Sequence, residues 1–294
     1  MKISQVEMFI HTSQSGSIAE AARKLNKSRT TVSAALSALE DDLGVQLLTR
    51  SGNKVILTEI GEAIANDCER LLQISKDIQD KCHQHLNGVE TSLRIARDDA
   101  LPEVLWRQLI QAMSERFPNT SISIYVAPPP ELEQMVQENI VDVAYTLLAD
   151  DHRISQLSQN KLGQIRMMSV AHQDHPLGRL RQVKRSDMDR YTEVALAYID
   201  DESLKAFTPR ASNFIALPFF EHMRDAVLDN TGWAYVPALL INEYLREGTL
   251  KVLKYNQAMS WQSYGEIMKS DSRPGSVIQW LSDQLADYLL EANH

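Results

Sequence analysis

The chain has 294 residues, of which 44% are hydrophobic and 23% charged, values typical of a globular protein with two or three compact units. No stretch approaches eighteen consecutive apolar residues, which excludes a membrane-spanning helix. The N-terminal residues include the acidic Glu7 where a secretion signal needs its apolar run, so we expect a cytoplasmic protein.

The net charge of −9 is unfavourable for nucleic-acid binding, but this charge is unevenly distributed. Residues 1–60 contain seven Lys and Arg against six Asp and Glu. Four of the cations, Arg23, Lys24, Lys27 and Arg29, lie in a segment without acidic residues. Because local charge decides whether a surface attracts phosphate, the first 60 residues are a candidate nucleic-acid-binding region.

The first 43 residues carry the signals of three short helices. The spacing of apolar residues predicts helices over 3–14, 17–25 and 28–43. Ser17 and Glu20 form a capping box at the start of the second helix, and Ser28 caps the third. The third helix ends at Gly44. Its predicted buried stripe consists of Val32, Leu36, Leu39 and Leu43.

Two short strands are predicted after the third helix, over 45–48 and 54–57. The polar segment Ser51-Gly52-Asn53 between them is typical of a hairpin tip. Three helices with a tight second turn, followed by a hairpin, indicate a winged helix-turn-helix.

A long helix is predicted over 59–87, because Thr58 caps it and the next helix breaker is Asn87-Gly88. Its apolar seam consists of Ile64, Cys68, Leu71, Ser75, Ile78 and Cys82. This seam of about two and a half heptads favours pairing between subunits. The alternative is that the helix packs on its own domain.

From residue 92 onward, short strands alternate with helices. The strands are predicted over 92–96, 122–126, 141–145, 165–171, 194–198, 233–236 and 264–269, and the helices over 102–116, 131–138, 219–228 and 274–290. This alternation indicates α/β architecture with parallel, doubly wound sheets.

The N-terminal residues resemble the signature of LysR-type transcriptional regulators. The matching positions are Gly16-Ser17, Ala21-Ala22, Leu25, Ser28, Val32-Ser33, Leu36, Leu39-Glu40, Leu43-Gly44, Leu47, Arg50, Leu57-Thr58 and Gly61. Weaker matches follow at 93–95, 141–144, 175–177, Gly232 and 236–237. The resemblance thus covers nearly the whole chain, and it is most specific in the first 61 residues.

This resemblance implies four regions. They are a winged helix-turn-helix DNA-binding domain over 1–58, a linker and dimerisation helix over 59–87, an effector-binding subdomain over 88–163 and 266–294, and a second one over 164–265. The two subdomains are expected to form a periplasmic-binding-protein-like fold joined by two crossing strands, with a small-molecule effector between them. Homodimers or homotetramers are expected.

The predicted DNA site is centred on the third helix, whose N-terminal end enters the major groove in this type of motif. Arg29 is the leading base reader, and it suits guanine where the family commonly has Gln, which suits adenine. The alternative is that Arg29 only solvates the helix end. The predicted DNA-binding residues are Ser17, Lys27, Ser28, Arg29, Thr30, Thr31, Ser33, Ala34, Arg50 and Lys54.

The segment 33–38 departs from the family because it lacks the basic residues that many members carry at positions 34, 37 and 38. Each lost phosphate contact lowers the slope of log affinity against log salt by slightly less than one. We therefore expect a shallow salt dependence of operator binding.

The predicted effector-binding residues are Asp98, Asp99, Ala100, Pro128, Thr146, Asn213, Phe214, Trp233 and Tyr264. Two carboxylates and the prolines 128–130, which donate no backbone hydrogen bond, fit an organic acid poorly. We expect a neutral or cationic ligand, or none. Two alternatives remain: Asp99 caps the helix that follows it, and the aromatic residues pack in the core.

Neither a catalytic site nor a cofactor is predicted, because phosphate loops, nucleophile elbows, zinc spacings and paired-carboxylate motifs are missing from the sequence. The segment 172–175 contains two histidines, but His175 belongs to the His-Pro-Leu turn of the family, so no metal is expected. Besides an effector-controlled regulator, a ligand-independent DNA-binding regulator and a solute-binding protein remain as alternatives.

Overall fold

The computed structural model describes residues 1–51, 54–149, 156–200 and 202–292, without the side chains of Arg50, Ser51 and His85. The chain forms two compact units, Met1–Asn87 and Gly88–His294. No helix in the described ranges combines the length and apolarity needed to cross a membrane.

The first unit contains four helices and one hairpin among its described residues. In chain order they are α1 (Ile3–Ser15), α2 (Ile18–Lys24), α3 (Arg29–Leu43), β1 (Leu48–Ser51), β2 (Lys54–Leu57) and α4 (Glu59–Leu86). The antiparallel hairpin β1–β2 pairs Leu48 with Leu57, and its tip at 52–53 lies outside the described residues. The predicted winged helix-turn-helix is confirmed.

One predicted strand begins too early. The segment 45–47 precedes β1, because the carboxylate of Glu40 accepts the backbone N–H groups of Leu47 and Leu48 at 2.8 and 3.0 Å. Leu47 itself is buried in the core of this unit. The amide at position 47 is therefore satisfied by a side chain of α3 instead of a strand partner.

The core of the first unit also receives the beginning of α4. Ile64, Cys68 and Leu71 pack against buried residues of α1 and α3. Further along the same helix, Ile74 and Ile78 are exposed. The first half of the predicted seam thus packs on its own unit, which is the alternative to pairing between subunits. In the second half, Ile78 is exposed and accessible to another subunit.

The second unit alternates strands and helices. Its strands are β3 (Ser92–Arg97), β4 (Ser121–Val126), β5 (Val143–Leu147), β6 (Leu157–His172), β7 (Glu193–Asp200), β8 (Ser203–Ala206), β9 (Phe214–Leu217), β10 (Trp233–Pro237), β11 (Leu250–Val252) and β12 (Met259–Lys269). Its helices are α5 (Glu103–Arg116), α6 (Pro129–Gln137), α7 (Pro176–Arg179), α8 (Arg185–Met188), α9 (Phe220–Leu228), α10 (Asn242–Glu247) and α11 (Ser276–Ala292), with a 3₁₀ turn at Ala238–Leu240.

The strand order divides this unit into two lobes. The order is β4-β3-β5-β12-β6-β10-β7-β8, with β11 beside β6 and β9 beside β7. We call β3–β5 with α5, α6 and α11 the first lobe, and β7–β11 with α7–α10 the second lobe. Parallel pairing dominates within each lobe, where β3 pairs with β4 and β5, and β7 with β9 and β10.

Two long antiparallel strands, β6 and β12, connect the lobes. They pair from Met259 opposite Met168 to Lys269 opposite Leu157, with a register shift between Tyr264 and Gly265. A Cβ at Gly265 would overlap the carbonyl oxygen of Asn160. Glycine is thus required where the strands approach closely. This is the crossing-strand arrangement that the resemblance implied, and the predicted fold class is confirmed.

Candidate DNA-binding and effector sites

The N-terminal end of α3 presents a polar, exposed face. Ser28 caps the helix, because its Oγ accepts the backbone N–H of Thr31 at 3.0 Å. The hydroxyl of Ser28 also lies 2.7 Å from those of Thr30 and Thr31. Arg29 is exposed beside them at the end of the helix, whereas Val32, one turn further along, is fully buried. The helix is therefore held from behind while its first turn stays accessible.

Most of the predicted DNA-binding side chains are exposed. Lys27, Ser28, Arg29, Thr30, Thr31, Ala34 and Lys54 are exposed, and Ser17 and Ser33 are half-buried. The side chain of Arg50 lies outside the described residues. Ser17 caps α2 by accepting the Glu20 N–H at 3.4 Å.

The hairpin β1–β2, which we call the wing, contacts the helices through backbone hydrogen bonds. The N–H of Val55 in β2 donates to the carbonyl of Gly16 at 2.9 Å, and Gly16 has a left-handed φ of 62°. At the other end of β2, Thr58 caps α4 through the N–H of Gly61 at 3.0 Å. A Cβ at Gly61 would overlap the Leu47 carbonyl. Glycine is therefore required at position 61 by the close Leu47 carbonyl and favoured at position 16 by the left-handed backbone, and both positions hold the hairpin β1–β2 against the helices.

A cavity of about 420 Å³ lies between the two lobes of the second unit. Its wall includes α6, the end of β5, the crossing strands, β7 and the start of α9. Apolar side chains form much of it: Pro129, Pro130, Leu147, Ala149, Met167, Val194, Ala195, Leu196, Phe207, Phe220 and Met223. The polar members are Glu133, Thr146, Glu193, Tyr198, Asp200, Thr208, Arg210, Tyr235 and Gln262. A cavity of this volume suits a small organic molecule.

Of the predicted effector residues, Thr146 lines this cavity, and Asp98 lies behind it. The carboxylate of Asp98 is fully buried and accepts the hydroxyl of Thr146 at 2.9 Å and the N–H groups of Leu147 and Ala100 at 2.8 and 3.0 Å. Burial raises the pKa of Asp98 to about 7, against the lowering effect of these hydrogen bonds. Asp98 thus positions the end of β5 instead of facing the cavity.

Asp99 joins the two lobes. Its Oδ2 accepts the backbone N–H of Glu221 at 2.8 Å, in the first turn of α9. Burial raises the pKa of the Asp99 carboxyl. One alternative from the sequence is that Asp99 caps the helix that follows it, but the helix it contacts is α9 of the second lobe. A carboxylate at a helix N-terminus is favourable, so this contact stabilises the approach of the lobes.

The other predicted effector residues lie outside the cavity wall. Ala100, Trp233 and Tyr264 are fully buried in the core, as in the packing alternative. Pro128 is buried at the start of α6, one residue before the lining Pro129. Phe214 is exposed on β9, and the carbonyl of Asn213 accepts the N–H of Glu193 at 3.0 Å.

A ribbon that the sequence did not reveal forms another part of the wall. Beyond Leu196, β7 continues as a two-stranded antiparallel ribbon with β8, pairing Ala197 with Ala206. The backbone N–H of Ile199 in this ribbon donates to Oε1 of Glu131 in α6 at 2.8 Å. The ribbon therefore extends from the second lobe to the first, beside the lining residues Tyr198 and Asp200.

Two charged residues of the wall, Glu193 and Arg210, were also missed. They lie at the start of β7 and in the segment between β8 and β9, seventeen positions apart, and no local motif marks either one. Only the pairing of β7 with β9 and β10 brings their surroundings together.

The described residues contain no group of three or more His, Cys, Asp or Glu placed to hold a metal ion.

Comparison with known proteins accounts for both units. The family described as "Bacterial regulatory helix-turn-helix protein, lysR family" matches residues 3–62, and "LysR substrate binding domain" matches residues 86–290. The multiple virulence factor regulator MvfR of Pseudomonas aeruginosa is 31% identical over 252 residues, covering 85% of this chain and 75% of the relative. The transcriptional activator AaeR of Escherichia coli is 24% identical over 300 residues, covering 99% and 94%.

Solved structures show the same fold. The C206 mutant of OxyR from Corynebacterium glutamicum matches with a TM-score of 0.66 at 20% identity, covering 99% of this chain and 94% of that one. CbnR, a LysR family transcriptional regulator, matches with a TM-score of 0.56 at 18% identity, covering 97% and 100%. The chain therefore belongs to the LysR family and is a DNA-binding transcriptional regulator with an effector-binding domain.

Proposed function

We propose that this regulator reads its operator through the exposed first turn of α3, and that a neutral or cationic effector bound between the lobes controls it. The observation that carries the DNA part is the exposed Arg29 beside the Ser28 cap, above the buried Val32. We further propose that the protein acts in the cytoplasm as an oligomer and catalyses no reaction. The four regions predicted from the sequence stay part of this proposal.

Arg29 is proposed to contact guanine. Its side chain extends from the first residue of α3, the end that enters the major groove in helix-turn-helix proteins. A guanidinium bonds both O6 and N7 of guanine, which discriminates against other bases by about 1–3 kcal/mol. Phosphate contacts are proposed for Ser17, Lys27, Arg50 and Lys54, which carry hydroxyl or cationic groups around this helix and on the wing.

Binding selection from random duplexes tests this assignment. The wild-type protein should select G at one position of each half-site, and Arg29→Gln should change that preference toward A. Lys27→Gln is the matched control, because loss of a phosphate contact should weaken binding to all sequences about equally. An Arg29→Gln protein with the wild-type base preference would overturn the assignment.

The effector part rests on the cavity. Its wall joins both lobes, so a bound molecule contacts each of them and stabilises their approach. The described wall residues include three carboxylates and one guanidinium, which are those of Glu133, Glu193, Asp200 and Arg210. This excess of negative charge disfavours an anionic ligand. The observed wall thus supports a neutral or cationic effector.

A cavity-filling variant tests the effector part. Ala149 lines the cavity and is exposed, so Ala149→Trp should fill the space without disturbing the core. In a reporter strain screened with neutral and cationic metabolites, this variant should lose every response of the wild-type protein while binding operator DNA with unchanged affinity. A response that survives in Ala149→Trp places the effector elsewhere. If the wild-type protein responds to no compound, the ligand-independent regulator is favoured.

A further inference from the structure

The charges in the cavity wall differ in how far they are already paired. Glu133 accepts a hydrogen bond from the amide of Gln159 at 3.2 Å, and Asp200 forms an ion pair with Lys205. Glu193 has no such cationic or amide side-chain partner in the described residues: the hydrogen bonds it accepts come from the backbone. It is therefore the wall carboxylate that is most available to a ligand.

Glu193 is held rigidly at the start of β7. Only 5% of the residue is exposed, and its Oε2 accepts the backbone N–H groups of both Arg210 and Ala211, the second at 2.7 Å. Both bonds end on the same oxygen. Oε1 is thereby left for a molecule in the cavity that Glu193 lines.

The carboxylate of Glu193 lacks much of its hydration. Burial raises its pKa, while the two backbone bonds and the positive charges of Arg210 and Arg185 act in the opposite direction. A buried carboxylate is stabilised when a positively charged donor replaces the lost water. A ligand cation at Oε1 would supply both the charge and the hydrogen bond.

Arg210 does not fill this role, because its guanidinium is engaged with tyrosines. Its Nη1 donates to the hydroxyl of Tyr255 at 3.0 Å, and that hydroxyl lies 2.6 Å from Ser169. The guanidinium carbon lies 4.7 Å from the ring centre of Tyr235, a cation–π contact. The side chain is therefore anchored on the second lobe, while its backbone N–H orients Glu193.

The apolar part of the wall fits an apolar ligand body. Pro129 and Pro130 come from the first lobe, and Phe207, Phe220 and Met223 from the second. Flat and apolar side chains on both sides of a cavity of about 420 Å³ suit a molecule with one or two rings.

We infer that the effector is an amphipathic amine whose apolar body lies between the lobes and whose protonated amino group donates a hydrogen bond to Glu193. Glu193 is then the residue that determines specificity for the head group. This inference rests on the proposed function, because it takes the cavity as the effector site.

Three probe molecules that share a phenyl group and differ in the head group test the inference. Thermal unfolding and binding titrations of the full-length protein at pH 7.5 would use 2-phenylethylamine, 2-phenylethanol and 3-phenylpropanoate. The amine should raise the melting temperature most and bind at least tenfold more tightly than the carboxylate. Equal or tighter binding of the carboxylate overturns the inference and leaves the cavity as an effector site.

Glu193→Gln is the decisive variant, because glutamine keeps the shape and the acceptor oxygen for the backbone bonds but removes the charge. It should lose the tenfold advantage of the amine and bind 2-phenylethanol as the wild-type protein does. Glu243→Gln is the matched control: it removes one exposed carboxylate outside the cavity wall and should leave the amine preference unchanged. Equal effects of the two variants would overturn the role of Glu193.

The wild-type probe series decides the inference even if Glu193→Gln does not fold. Absence of any shift with all three probes also overturns it. The proposed function is judged separately by Ala149→Trp in the reporter strain, so the two failures are distinguishable.

Discussion

The two units of this regulator place their polar groups in opposite ways. In Met1–Asn87, the predicted contact residues of α3 are close in sequence and mostly exposed, and a tight backbone approach at Gly61 helps to fix the structure around them. In Gly88–His294, the cavity residues come from segments more than a hundred positions apart, and buried carboxylates hold those segments together. A local motif thus specifies the first site, whereas tertiary packing specifies the second.

The largest effect is expected at Gly61, where the first unit depends on a close approach. In Gly61→Ala, the new methyl group would overlap the Leu47 carbonyl, so the start of α4 or the wing must move. We expect a loss of about 3 kcal/mol in the free energy of unfolding, measured by urea denaturation of the full chain.

Gly44→Ala is the control for this change. Unlike Gly61, Gly44 has a positive φ, 71°, and nothing lies within 4 Å of the position of its missing Cβ. Backbone strain alone should cost about 1 kcal/mol there. Equal losses in the two variants would show that close approach is not what distinguishes Gly61.

An intermediate effect is expected at Asp98 in the second unit. Asp98→Asn turns an amide toward the N–H groups of Leu147 and Ala100, so one donor loses its acceptor, at a cost of about 2 kcal/mol. The pKa of Asp98 is raised from 3.8 to about 7 in the folded chain. A group whose pKa is higher in the folded than in the unfolded chain stabilises the fold at pH values below its unfolded pKa. This stabilisation is lost as the pH rises through the folded pKa.

The wild-type protein should therefore lose stability relative to Asp98→Asn between about pH 4 and pH 7, and the difference should level off above. Thermal unfolding of both proteins across this range measures it. A difference that does not change with pH would show that Asp98 stays ionised and that burial does not control its charge.

The smallest effect is expected at the ribbon. Glu131→Gln replaces a charged acceptor of the Ile199 N–H by a neutral one, which should weaken this contact by less than about 1 kcal/mol. Hydrogen exchange at the Ile199 amide should rise about threefold. Glu138→Gln at the end of the same helix should leave it unchanged. If exchange is equal in both variants, the ribbon is held by its apolar contacts instead.

The sequence predicted the first unit well because its signals are local. Ser28, Val32, Leu36, Leu39 and Gly44 lie within one helix and its caps, and the structure places each as expected. The last residue of the predicted stripe, Leu43, is instead 40% exposed at the end of α3. The strand predicted over 45–48 begins too early because the N–H of Leu47 donates to the Glu40 carboxylate, and nothing in the sequence marks these two residues as partners.

The second unit was predictable in fold but not in its site. Alternating strands and helices indicated the α/β architecture, since periodicity is a property of each segment, and the resemblance to LysR-type regulators implied the two lobes. Glu193 and Arg210 could not be found in this way, because the pairing of β7 with β9 and β10 sets their surroundings. Asp98 and Asp99 were found at a strand end, but the sequence did not show that both oxygens of Asp98 are bound by neighbouring backbone and hydroxyl groups.

The bond from Glu40 to the wing has a consequence for operator recognition. One carboxylate of α3 accepts two successive amides where β1 begins, so the helix proposed to read the bases is bonded directly to the hairpin proposed to contact the phosphates. Under the proposed function, this bond limits changes in the distance between the groove and the flanking phosphates, and we expect a duplex whose local geometry differs to deform on binding. Operators should then differ in affinity at base pairs that no side chain reaches, according to how easily each sequence bends.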